Sequence, residues 1–143
     1  MINTDIYLHF NGQCEEAFKF YQSAFGGEFI TARRYKEMAG SDKMGQADGE
    51  RMMHISLKIT PASTLMGSDL PTSEDKNFQL GNNYHICLQA ETEKEADKLF
   101  QALSKDGKIE MPMNKTFWGA YFGMLEDKFG VHWMINFTYP MSN

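Results

Sequence analysis

Three of the four histidines, His54, His85 and His132, fall on the polar side of alternating segments: MMHISLKI (52–59), YHICLQA (84–90) and VHWMINF (131–137). Imidazoles placed in this way can hold a divalent ion, pass a proton near neutral pH, or hydrogen-bond inside a half-polar pocket. Alternation sets Ser56 on the face of His54, Cys87 and Gln89 on the face of His85, and Met134 and Asn136 on the face of His132. Met66, from STLMGSDL (63–70), joins them as a fourth-strand residue. Together these side chains make a candidate lining for a small-molecule pocket, mainly apolar with a few polar groups. Trp118 lies before the last hairpin, where it could cap the mouth of that pocket, plug the core or meet a second subunit.

Other chemistries find less support. No serine sits in a G-x-S-x-G turn, and no histidine neighbours Cys87 in sequence. Asp48 and Glu50 lie in a glycine-containing polar stretch and read as solvated charges rather than an acid–base pair. The turn Asn11-Gly12-Gln13 after the first strand lacks the G-x-G-x-x-G spacing of a dinucleotide-type fold, which argues against a methyltransferase of the common doubly wound kind. The two cysteines, Cys14 and Cys87, form no C-x-x-C pair and read as reduced thiols of a cytoplasmic protein.

Composition sets broader limits. The 143 residues carry a net charge of −5 and no basic run longer than Arg33-Arg34, so neither a nucleic-acid nor an anionic-membrane partner is expected. No apolar stretch approaches the roughly 20 residues of a membrane span, and MINTDIYLHF lacks the layout of a signal peptide. Eleven methionines, eleven phenylalanines, six tyrosines and two tryptophans supply deformable and flat apolar surface for a pocket.

The elements that must position these residues are written twice. EAFKFYQ (16–22) and EADKLFQ (95–101) each follow an alternating strand, DIYLHF (5–10) or YHICLQA (84–90), and each precedes a glycine. The first helix is expected over 13–25, ended by Gly26-Gly27, and the second from a Thr92/Glu95 capping box to about Lys105. EFITARRYKEM (28–38), 52–59 and 63–70 complete the first half as strands, with a loop at 39–50. KIEM (108–111), YFGML (121–125) and 131–137 complete the second. Each half thus reads βαβββ, residues 1–70 and 84–143, joined by a polar linker at 71–83. The expected class is α+β, with two such modules forming a cleft between curved mixed sheets, because one module alone leaves a sheet face uncovered.

This plan resembles the vicinal oxygen chelate superfamily, which includes glyoxalase I, extradiol dioxygenases and the bleomycin- and fosfomycin-resistance proteins. TFWG (116–119), DKFGVHWMIN (127–136), YLHFNGQCEEAFKFY (7–21) and LMGSD (65–69) are similar to its PhnB-like branch, which carries the label 3-demethylubiquinone-9 3-methyltransferase-like. The resemblance implies a homodimer and, in the enzymes, a divalent ion held by side chains from the first and last strand of each half. Carried over, one ligand position falls on His85. The others fall on Ile6 (or Asp5, if the register shifts by one), Met66 and Met134. With two thioethers at ligand positions, no cofactor is expected, and the leading reading is a small-molecule-binding protein without the superfamily metal. The alternative is a metal-dependent lyase, isomerase or dioxygenase of glyoxalase type using His85 as a ligand; a different ligand set could instead use His54 or His132. A purely structural interaction protein is a third reading.

Overall fold

Two sheets of four strands carry the chain, and both have the same strand order. The computed structural model describes residues 1–141. They form β1 (Ile6–Phe10), α1 (Cys14–Phe25), β2 (Glu28–Arg34), α2 (Gln46–Glu50), β3 (Met52–Thr60) and β4 (Ser63–Asp69). After a gap come β5 (Ile86–Gln89), α3 (Glu93–Ser104), β6 (Lys108–Lys115), β7 (Ala120–Glu126) and β8 (His132–Thr138). The first sheet is ordered β1-β4-β3-β2 and the second β5-β8-β7-β6, with β1–β4 and β5–β8 parallel and the other pairs antiparallel. The fold is therefore α+β, built of two βαβββ modules. The chain divides into two compact units, Met1–Gln79 and Leu80 onward.

In the first unit, α1 buries Cys14, Ala17, Phe18 and Tyr21 as one stripe against the sheet. Leu57 and Leu65 meet it from β3 and β4, both fully buried. Each such side chain contributes about 1.5–3 kcal/mol by leaving water. Gly67 makes this close packing possible, since a Cβ there would lie 2.7 Å from the Phe18 ring. Asp69, 1% exposed, ties the ends together: Oδ1 accepts from the backbone N–H of Gly12 and Cys14, and Oδ2 from that of Met52.

In the second unit, α3 buries Ala96, Phe100 and Leu103. Thr92 caps it by accepting from the Glu95 N–H, while the Glu95 carboxylate accepts from the Glu91 N–H. Trp133, Ile135 and Leu125 form the sheet side of this core, all fully buried.

Some boundaries differ from the sequence expectation. The strand expected over 28–38 stops at Arg34, and Tyr35–Glu37 turns into a single 3-10 turn. Glu37 drives that change by accepting from the Arg34 backbone N–H, and the Tyr35 hydroxyl donates to the Asp69 carbonyl. The loop expected at 39–50 contains the short helix α2. The strand expected at 84–90 is confined to Ile86–Gln89. KIEM extends to Lys115 through Pro112, which is tolerated because β6 is an edge strand.

Candidate functional site

Alternation along β8 separates its residues cleanly: Trp133 and Ile135 turn into the core beneath α3, leaving His132, Met134 and Asn136 on the opposite face. The ladder places Met134 beside Cys87 and Met124, and Asn136 beside Gln89 and Phe122. At the edge, Ile109 opposes Leu125 and Met111 opposes Met124, so Glu110 is the extra residue of a β-bulge. Bulges bend the strand that carries them. Here the Glu110 carboxylate spans β7 and reaches the two histidines beyond it.

Glu110 Oε1 lies 3.0 Å from His132 Nδ1, and both carboxylate oxygens lie 3.3 Å from His85 Nε2. A carboxylate only accepts, so each facing ring nitrogen donates. One donor atom from each of the three residues falls within 4.8 Å of the other two. Tyr84 orients the buried member: its hydroxyl oxygen accepts the His132 backbone N–H at 3.4 Å, and its ring meets the imidazole edge-on. The His132 side chain is 8% exposed, against 21% for His85 and 30% for Glu110, so the cluster has an anchored end and an open end. Burial pushes the Glu110 pKa up, but its hydrogen bonds to His132 and His85 outweigh this and hold it below the ordinary glutamate value. An open pocket of about 510 Å³ adjoins, lined by Leu80, Gly81, Asn82, Glu110, Glu126 and His132. Residues 80–82, read from the sequence as linker, thus line a pocket.

Each unit holds its own share of the other anticipated residues. In the first unit, Ser56 and Met66 are ladder partners, and Met66 also pairs with Tyr7. His54 Nδ1 lies 3.0 Å from the Tyr7 hydroxyl and its ring stacks on the Tyr7 ring. In the second unit, Gln89 accepts from the Asn136 amide and donates to the Cys87 sulfur. Trp118 lies in the β6–β7 loop, 62% exposed, edge-on to Phe117 and Phe122. Cys14 and Cys87 are both free of disulfides, and burial pushes both thiols up, which makes them poor nucleophiles. Glu110 was not anticipated. Alternation in KIEM does set it with Lys108, but nothing local shows that the strand bends toward two histidines.

The positions that the resemblance assigns to a shared metal carry few of the donors such an ion takes. Ile6 pairs with Leu65, on the face that α1 covers, so it is Asp5 and Tyr7 that share the face of Met66. Asp5 precedes β1 and is exposed. Met66 is flanked by Ser56 and Tyr7, and Met134 by Cys87 and Met124. Thioethers are soft neutral donors, unsuited to the N/O-ligated ions of that chemistry. Only His85 fits.

Comparisons with known proteins agree with the architecture. The chain is 30% identical over 138 residues to Protein YjdN of Escherichia coli (strain K12), covering 91% of each. It is similar to the crystal structure of PA1353 from Pseudomonas aeruginosa, with TM-score 0.82, 31% identity and coverage of 96% of this chain and 98% of that one. It is also similar to the PhnB protein of Bacillus cereus, named for 3-demethylubiquinone-9 3-methyltransferase, with TM-score 0.76, 29% identity and coverage of 96% and 100%. The fosfomycin resistance protein FosX of Listeria monocytogenes shares the fold at 13% identity and TM-score 0.67, covering 97% of this chain and 96% of that one. Residues 5–135 match the family model for the Glyoxalase/Bleomycin resistance protein/Dioxygenase superfamily, and the chain belongs to that superfamily.

Proposed function

We propose that this protein binds a small, partly aromatic molecule on the neutral, methionine-centred sheet face, without the metal centre that the superfamily's enzymes share. The observation that carries this reading is the placement of Met134 between Cys87 and Met124, on a face that α3 leaves uncovered. Met134 is half-buried and Met111 is 37% exposed, so flexible apolar surface is available for a ligand. Gln89 and Asn136, already hydrogen-bonded to each other, supply the polar groups that fix a ligand's orientation. In the first unit, Met66, Ser56 and His54 offer a face of similar character, and Trp118 supplies a further exposed aromatic surface. We place the protein in the cytoplasm, as a homodimer.

A thermal-shift screen of small aromatic compounds tests the reading, because a ligand that binds only the folded state raises the melting temperature. At least one compound should give a concentration-dependent rise, and Met134→Lys should abolish it by placing a charge in the apolar contact. A hit whose effect is unchanged in Met134→Lys would move the site elsewhere. A second reading, a metal-dependent lyase, isomerase or dioxygenase, is favoured by one observation: His85 has a carboxylate and a second imidazole beside it.

A further inference from the structure

The geometry points to a divalent transition-metal site contained wholly within the second unit, with His85, Glu110 and His132 as ligands. These are not the positions at which the superfamily resemblance places its ion: of those, only His85 is shared. The proposal stands independently of ligand binding at Met134.

The donor chemistry is suited to an ion. Two imidazoles and one carboxylate are the mixed N/O set that takes zinc, nickel, cobalt or iron(II), and three protein ligands leave further positions open. The spacing also agrees. Donors about 2.1 Å from a common ion stand roughly 3.0–3.4 Å apart, and the Glu110 oxygens lie 3.0 Å from His132 Nδ1 and 3.3 Å from His85 Nε2. The three donor atoms fall within 4.8 Å of one another, so a modest inward movement of the more exposed His85 completes the set. An arriving ion would displace the two ring hydrogens from the bonds to Glu110, each imidazole presenting a lone pair by changing tautomer. His132, held by Tyr84 through its backbone and ring edge, is the fixed ligand. The adjoining pocket of about 510 Å³ gives the ion a path from solvent and space for a further ligand beside Glu126.

Without an ion, the same residues would be no more than a carboxylate hydrogen-bonded to two histidines. Equilibrium dialysis of the tag-free, chelator-stripped full chain against zinc, nickel and cobalt separates these cases, with bound metal read by elemental analysis. We expect one ion per chain for at least one metal, accompanied by a rise in melting temperature. Glu110→Gln preserves size and can still hydrogen-bond, and it should weaken binding by more than about 100-fold, as should His132→Ala. Circular dichroism checks that both variants remain folded. Met66→Leu and Met134→Leu should bind as wild type, because the superfamily positions are not used. Failure to retain any of the three metals would overturn the proposal, as would an ion that survives in folded Glu110→Gln and His132→Ala or is lost in Met134→Leu.

Discussion

Asp127 and Asp69 show how a buried carboxylate can be purely architectural. Asp127 is 3% exposed, yet Oδ1 accepts from the backbone N–H of Phe129 and Val131, and Oδ2 accepts from Trp133 Nε1. The D-K-F-G turn therefore sets the start of β8, and with it His132. Asp127→Ala leaves buried donors without an acceptor and should cost about 3 kcal/mol of stability, measured by urea unfolding, while Asp127→Asn should cost less. An alanine variant within experimental error of wild type would remove this residue from the account of how β8 is placed. Glu110 differs because its partners are titratable side chains, and its role was not legible in the sequence. Local alternation identifies the face of a residue. The bend that carries its carboxylate across β7 comes from a bulge, set by pairing with a strand some fifteen residues away.

At the scale of elements, strand alternation and the repeated helical phrase were sufficient to recover eight strands and the two long helices, because both signals are local. Much of what escaped was decided by partners distant in sequence: the Asp69 carbonyl that takes the Tyr35 hydroxyl just past the end of β2, and an edge position allowing β6 to pass through Pro112. The attachment of α3 to its sheet has a pH signature. The Tyr121 hydroxyl donates to Asp97 at 2.6 Å, and this bond, with burial and nearby carboxylates, pushes its pKa up from 10.0 to about 12. Because the folded value is the higher one, the stabilisation is complete below about pH 10 and is lost as pH rises toward about 12. The stability difference between wild type and Tyr121→Phe should therefore shrink across that interval in denaturant melts. A constant difference would mean that the bond does not couple to the phenol's titration. Tyr139 donates to Glu93 on the same helix and has its pKa likewise pushed up to about 12, so only the difference between the two proteins isolates Tyr121.

At the scale of the whole molecule, the βαβββ repeat and superfamily membership were legible, since hydrophobic periodicity and turn residues recur in the same order in both halves. The ligand and the assembly were not, because both depend on surfaces rather than on core patterning. Among the described residues, no helix is long and apolar enough to cross a membrane. Phe117 is 98% exposed and Trp118 62% exposed, apolar surface that a second copy would cover. Sedimentation equilibrium should accordingly return twice the chain mass, and a monomer at all accessible concentrations would contradict the dimer. The most direct test of metal-independent ligand binding is calorimetric titration of a thermal-shift hit into chelator-stripped protein, repeated after metal loading. We expect binding of similar affinity in both states, lost in Met134→Lys. Binding that appears only in the metal-loaded protein and disappears in Glu110→Gln would contradict it, and would make His85, Glu110 and His132 the functional centre.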